Sequence, residues 1–149
     1  MNRLRSAALV AALTLAACTR AAPDATPDGV VRLFLDRMES SSDDPHAMKD
    51  AYGLLGPHAR ANLKERAERA GRGQGKRYEP WEMLAEGRFG LKFRPKQMTS
   101  KIEGDGADVD VRGDAPEDHA VVHCIREGAS WRIDLEVPEP PTAPTRSRL

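Results

Sequence analysis

Apolar positions along the chain change their spacing once. Between Val30 and Leu84 they recur every three or four residues, whereas beyond Lys92 they alternate with polar positions. The first spacing is typical of helices that bury one face, and the second of strands that bury one face. We therefore expect the helices to come first in the chain and the strands last.

Capping residues and glycines set the limits of the helices. Thr26 is a favourable N-cap, and Pro27 suits the first helical turn that follows it. The glycine-rich stretch from Gly71 to Gly75 is expected to break the third helix. The predicted helices run from Pro27 to about Ser40, from Asp44-Pro45 to Gly56-Pro57 and from Pro57 to about Ala70, with a further short turn at Glu79–Leu84.

Two hairpins are predicted after Lys92, with turns at Gly104–Gly106 and at Glu127-Gly128. Their arms are Met98–Glu103 with Ala107–Arg112, and His119–Arg126 with Ala129–Val137. In three of these arms, all except His119–Arg126, apolar and polar residues alternate, so one face of the sheet is expected to be buried. Helices followed by four antiparallel strands indicate an α+β domain whose helices pack on one face of the sheet.

The N-terminus has the pattern of an export signal. Met1–Arg5 is positively charged, Ser6–Leu15 is apolar, and Leu15-Ala16-Ala17-Cys18 resembles the lipobox of bacterial lipoproteins. The resemblance implies that the signal is cut before Cys18 and that its thiol receives a diacylglycerol. Because Thr19 follows the cysteine, it also implies an outer-membrane location facing the periplasm. The alternatives are an ordinary secretory signal and a short buried helix with an incidental cysteine.

The whole chain is predicted to divide into four parts: a signal peptide over 1–17, a lipidated tether over 18–25, one domain over 26–138 and a disordered, proline-rich tail over 139–149. No later stretch reaches the ~20 apolar residues of a transmembrane helix, so membrane attachment depends on Cys18. With Cys18 acylated, Cys124 has no partner for an intramolecular disulfide.

Charge is balanced overall but unevenly distributed. The chain has 23 basic and 23 acidic residues, so its net charge gives no reason to expect a nucleic-acid partner. Residues 58–77 hold seven basic and two acidic side chains, whereas residues 103–139 hold three and eleven. The basic stretch Arg60–Arg77 has two interpretations. It is either a surface for lipid headgroups or another anionic polymer, or a solvated helix face that Glu65 and Glu68 partly neutralise, and the sequence favours the second.

Three further segments carry a family resemblance. They are Thr26–Leu35, Ala51–Leu55 with Ala59-Arg60, and Ala129–Asp134, in this order after the lipobox. The chain in this respect resembles small bacterial lipoproteins of the NTF2-like superfamily with a DUF4878-like domain. The resemblance implies a cystatin-like cone in which a curved four-stranded sheet wraps the first helix, and a homodimer through the open sheet face. It implies no particular reaction, because the superfamily includes enzymes, transport factors and scaffolds.

Candidate site residues follow from the interior of such a cone, where enzymes of this superfamily hold a base beside a tyrosine or a second acid. The candidates are Tyr52, Asp110, His123 and Asp134. Tyr52 is expected in the core with its hydroxyl at the edge, and the two aspartates are expected in solvent. His123 either faces the concavity or has a structural role. Tyr52, His123 and Trp131 make up the candidate pocket.

Metal and nucleotide motifs are not recognisable. The four histidines share no metal-ligand spacing, and the acids around Gly104–Gly106 lack the terminal glutamate of an EF-hand loop. The stretch Gly71–Lys76 lacks the first glycine and the final Ser or Thr of a Walker loop. No metal or cofactor is therefore predicted.

The leading hypothesis is an envelope lipoprotein whose domain is a non-enzymatic binding or assembly module for a small apolar ligand or an envelope protein. The alternative is a small isomerase- or hydrolase-like enzyme that acts inside the cone with His123 as the base. A cone filled by Trp131, Phe34 and Met38 favours the first. An open pocket that holds His123 beside another titratable group favours the second.

Overall fold

The structure of the protein is a computed structural model that describes residues 21–86 and 91–136. Within these ranges a 3₁₀ turn (Pro23–Ala25) precedes α1 (Pro27–Ser40), α2 (Ala47–Gly53), α3 (Pro57–Gln74) and α4 (Glu82–Glu86). The strands are β1 (Gln97–Glu103), β2 (Gly106–Arg112), β3 (His119–Glu127) and β4 (Ser130–Ile133). None of these helices is both long and apolar enough to cross a bilayer. The predicted signal peptide, Cys18 and the tail lie outside the described residues.

Short polar side chains determine where the first two helices begin. Thr26 Oγ1 accepts a hydrogen bond from Gly29 N–H at 3.2 Å and caps α1 as predicted. Asp44 Oδ1 accepts the N–H of His46 at 2.8 Å, which forms a turn in front of α2. As a result α2 begins at Ala47, later than the Asp44-Pro45 signal indicates.

α3 is longer than the sequence predicts. The prediction ended this helix near Ala70, whereas it runs to Gln74. Gly75 ends it in the left-handed region, with φ of 65°, and its N–H donates to Gly71 O at 2.9 Å. The glycines inside the helix do not stop it, because each costs only about 1 kcal/mol relative to alanine.

The four strands form an antiparallel sheet in the order β1-β2-β3-β4. Gly104 (φ 60°) and Gly128 (φ 65°) turn the first and last hairpins in the left-handed region, as the turn signals predict. The register sets Ala107 opposite Cys124 and Cys124 opposite Ile133, so buried side chains of three strands form one row. The predicted α+β class, with helices and a four-stranded antiparallel sheet, is confirmed.

β4 is shorter than the predicted arm, which reached Val137. It ends at Ile133, where the connection between α2 and α3 runs along its outer edge. Ile133 N–H donates to Leu54 O at 2.9 Å, and Gly56 N–H donates to Ile133 O at 2.7 Å. Residues 134–136 continue without strand structure, and Val137 lies outside the described residues.

Helices and sheet enclose an apolar core. Its buried members are Val30, Val31, Phe34, Ala51, Leu55, Ala59, Leu63, Ala67, Met83, Leu84, Ala107, Val109, Val111, Cys124, Trp131 and Ile133. Burying each large apolar side chain contributes about 1.5–3 kcal/mol. In the described part of the chain, no polar or charged side chain is buried with them. The space between helices and sheet is therefore filled by apolar groups.

Candidate functional site

One face of the sheet carries exposed polar side chains. Alternation along β2 sends Ala107, Val109 and Val111 into the core, so Asp108 and Asp110 point to the opposite face. The strand pairing places further side chains beside them on this face. The residues Thr99, Lys101, Asp108, Asp110, Arg112, His119, Val121 and His123 are referred to below as the open face.

His123 and Asp108 form a cross-strand pair on the open face. They are direct register partners, and His123 Nδ1 lies 2.6 Å from Asp108 Oδ1. Both side chains are well exposed, at 60% and 58%. A cavity of about 290 Å³ beside the pair is also lined by Lys101, Glu103 and Asp134. A neutral imidazole that donates its Nδ1–H to this carboxylate keeps Nε2 free to accept a proton, as a general base does.

Asp110 lies between a second histidine and an arginine. His119 Nε2 is 2.7 Å from Asp110 Oδ1, and Arg112 donates to Asp110 Oδ2 through Nε at 3.1 Å and Nη2 at 3.0 Å. The Arg112 hydrogen bonds, with the charges of Arg112 and His119, hold the pKa of Asp110 below its ordinary value. Asp110 Oδ1 is shielded from solvent, with the His119 imidazole beside it. Asp110 is thus half-buried, and not in open solvent as the sequence indicated.

Val121 lies between the two histidines on β3. Its register partner is Asp110, and 47% of the valine is exposed. Ile102, which is 53% exposed, lies on the helix-facing side of the sheet because its partner is the buried Ala107. The open face therefore presents a branched apolar side chain surrounded by charged and imidazole groups, a composition that suits contact with a protein surface.

The candidate pocket residues Tyr52, His123 and Trp131 are not brought together. Trp131 is 1% exposed, and the Arg126 guanidinium lies 4.9 Å from its ring centre. Tyr52 is half-buried on α2, where its hydroxyl donates to Arg60 O at 3.3 Å. His123 faces away from Trp131, because the register partner of the tryptophan is three residues further along β3. The tryptophan fills the core, and the histidine faces solvent.

Cys124 follows His123 in sequence but points into the core. It is 2% exposed, and its Sγ lies 4.0 Å from Pro27 O. Burial, followed by the charges of Asp108 and Asp134, raises the pKa of this thiol to about 12. The thiol therefore stays protonated at neutral pH and does not supply a nucleophile beside His123.

No protein-family model, curated protein or solved structure matches the chain. Among residues 21–86 and 91–136, no three His, Cys, Asp or Glu side chains have the arrangement of a metal site. The chemistry of the open face therefore rests on its own hydrogen bonds and charges.

A charge network joins the sheet to the segment before α1. Arg132 Nη1 lies 2.8 Å from Asp24 Oδ2, Arg132 Nε lies 3.2 Å from Glu127 Oε2, and Arg60 Nη2 lies 2.8 Å from Glu127 Oε1. The hydrogen bond from Arg132 is the main cause that holds the pKa of Asp24 below its ordinary value. The sequence predicted a tether at Asp24. It did not indicate this contact, because Arg132 lies 108 residues further along the chain and leaves no local pattern at Asp24. The 3₁₀ turn is instead docked on the domain.

Proposed function

We propose that this chain is a lipid-anchored protein of the bacterial cell envelope whose domain is a non-enzymatic binding or assembly module. Cys18 is the anchor, in the outer membrane and facing the periplasm. Residues 19–22 connect it to the docked 3₁₀ turn, a span of at most ~18 Å at ~3.5 Å per residue. The domain therefore works close to the membrane. Its helices, followed by a four-stranded antiparallel sheet, agree with an NTF2-like cone.

The filled interior is the main observation that supports a binding module. Trp131, Phe34 and Leu55 occupy the space between helices and sheet, with at most 3% exposure. Met38 packs against them from a half-buried position. A site inside a cone requires polar or titratable groups that meet the substrate there, and the described residues bury none. Recognition therefore uses the outside of the domain.

The open face is the proposed contact surface. Val121 supplies an apolar centre, and the two histidine–aspartate pairs around it supply hydrogen-bonding groups. An exposed sheet face suits another protein, including a second copy of this chain, better than it suits a small molecule. A groove of about 460 Å³ is the other place for a small, partly apolar ligand, and it is lined by Leu35, Met38, Leu91 and Phe93 with the charged residues Glu39, Lys92 and Arg94. It borders residues outside the described ranges, so we place the partner contact on the open face.

Photo-crosslinking in the native envelope tests this surface. A photoreactive amino acid at position 121 is expected to give a discrete adduct, either with one envelope protein or with a second copy of the chain. The matched control is position 102, which has similar exposure on the other side of the sheet. No discrete adduct from position 121, or the same adducts from both positions, would contradict the proposal.

The pair formed by His123 and Asp108 supports a second candidate, a small hydrolase- or isomerase-like enzyme. The carboxylate orients the imidazole at 2.6 Å, and the adjoining cavity of about 290 Å³ admits a small polar substrate. Purified protein would be screened with chromogenic ester, phosphoester and glycoside substrates. Turnover that His123→Ala abolishes and His119→Ala retains would establish this candidate in place of the binding module.

A further inference from the structure

A cleft lies between the C-terminal half of α3 and the segment that follows it. Gly75 turns the chain back in the left-handed region. The returning chain passes so close to α3 that a Cβ on Gly71 would lie 2.6 Å from Lys76 O. Two glycines therefore allow the segment 76–80 to fold back along the helix and form the second wall of the cleft.

The cleft has a volume of about 700 Å³ and an excess of positive charge. Four cations line it, against two acids: Lys64, Arg72, Lys76 and Arg77, with Glu68 and Glu79. None of the four cations forms a salt bridge within the described ranges. Arg60 and Arg69 of the same helix, by contrast, pair with Glu127 and Glu65. Basic side chains that outnumber the acids of a concave wall and form no salt bridge attract an anion.

Tyr78 fixes the position of the returning segment. Its hydroxyl donates to Gln74 Oε1 at 2.5 Å, and Lys76 Nζ lies 4.7 Å from the centre of its ring. Ala67 and Pro80 are apolar residues of the lining, and Ala67 is 3% exposed. The cleft is therefore lined mainly by charged side chains and the Tyr78 ring, which suits an anionic headgroup.

We propose that this cleft binds the phosphate headgroup of an anionic phospholipid in the membrane that carries the anchor, an inference that rests on the proposed anchoring at Cys18. Lysine and arginine side chains both bind phosphate oxygens. The short tether holds the docked 3₁₀ turn near the leaflet. Arg60 belongs to the network that docks this turn, and the cleft extends from Lys64 to Arg72, between ~6 and ~18 Å beyond Arg60 along α3. The cleft is therefore within reach of the same leaflet.

Vesicle co-sedimentation tests the cleft without the lipid anchor. The protein is the unacylated mature chain from residue 18 with Cys18→Ser, which retains every described core residue, all of them between Val30 and Ile133. It is expected to bind phosphatidylglycerol vesicles and not phosphatidylcholine vesicles. The pair Arg72→Gln/Arg77→Gln should weaken binding about 30-fold, since each basic group near an anionic surface contributes about fivefold.

The control is Arg94→Gln/Lys96→Gln, which removes two exposed positive charges that do not line the cleft. It is expected to bind within about twofold of the parent, because only general attraction is reduced. Equal weakening by both pairs, binding to both kinds of vesicle alike, or no binding would overturn the proposal. If the protein binds inorganic phosphate but not vesicles, the ligand of the cleft is a free anion, and the proposal of a phospholipid ligand is wrong.

Anchor and cleft can fail separately. If vesicle binding depends on Arg72 and Arg77 but the full chain takes up no fatty acid in cells, the cleft binds lipid and the proposed anchor at Cys18 is wrong. If Cys18 takes up fatty acid but the protein does not bind phosphatidylglycerol, the anchor is correct and the proposed lipid site in the cleft is wrong.

Discussion

Neighbouring residues on β3 have opposite environments. His123 is exposed beside Asp108, whereas Cys124 lies in the core beneath Pro27. A register shift of one residue would exchange the two faces, so the pairing of Cys124 with Ala107 and Ile133 decides which side chain is accessible. The histidine is available for contacts with a partner, and the thiol is a packing group.

The Cys124 thiol should react only when the domain unfolds. In the unacylated chain with Cys18→Ser, we expect negligible labelling by a thiol reagent at neutral pH, because burial raises the pKa of Cys124 to about 12. Rapid labelling should appear in denaturant. The matched control, Val121→Cys with Cys124→Ala, should label at once in the native state. Rapid native labelling of Cys124 would mean that β3 does not hold it in the core.

Asp24 should stabilise the domain only where it is ionised. Its pKa is lower in the folded protein than the unfolded value of 3.8, so the stabilisation is present above that value and is lost as the pH falls through the folded value. Asp24→Asn is expected to reduce the free energy of unfolding by about 1 kcal/mol at neutral pH. The loss should shrink as the pH falls below 3.8.

Urea unfolding of the two proteins at neutral and acidic pH measures this difference. Asp43→Asn is the control, because Asp43 is exposed and makes no salt bridge within the described ranges. If Asp24→Asn lowers the free energy of unfolding equally at neutral and acidic pH, the ion pair with Arg132 does not stabilise the domain.

α3 shows how an element depends on the chain that packs against it. Its glycines differ: a Cβ on Gly71 would meet Lys76 O at 2.6 Å, whereas a Cβ on Gly73 would meet nothing within 4 Å. Both lie in the last turns of the same helix. Gly71 therefore lacks a side chain where the returning segment passes close to α3. Gly73 is a helix position without such a constraint.

Alanine substitutions at these two glycines should have opposite effects. Gly71→Ala is expected to lower the free energy of unfolding by about 1–3 kcal/mol, because the returning backbone must move. Gly73→Ala should raise it by about 0.5–1 kcal/mol, because alanine is the better helix former. Thermal unfolding of both variants provides the measurement. Stabilisation by both substitutions would show that segment 76–80 does not pack on α3.

The elements that the sequence predicts are those with a local signal. Thr26 caps α1, and alternation marks β1, β2 and β4, because these properties depend on near neighbours in the chain. Gly75 ends α3 within the glycine-rich stretch that predicted a break, although the sequence alone does not select which of these glycines ends the helix. The shortening of β4 depends on backbone that arrives from elsewhere in the chain, at Leu54. Such contacts leave no pattern at the positions they change.

The site was less predictable than the fold for the same reason. His123 was a candidate from its residue type, but its partner Asp108 follows only from the cross-strand register. The separation of His123 from Trp131 also follows from the register. The basic stretch at α3 acquires a cleft only through the reversal at Gly75, so its charge alone favoured a solvated face.

For the whole molecule, the packed interior and the short tether support one account. Apolar side chains fill the space between helices and sheet, so binding is assigned to the outside of the domain. The open face is the proposed surface for a protein, and the cleft beside α3 is the proposed site for an anionic headgroup. Both proposals place the domain next to a membrane, and that position depends on the acylation of Cys18.

Fatty-acid labelling of the full chain in cells tests this dependence most directly. Wild type and Cys124→Ala should both take up labelled palmitate and remain with the membrane fraction, because Cys124 is a core residue. Cys18→Ala should take up no label. Equal label in wild type and in Cys18→Ala would contradict the account.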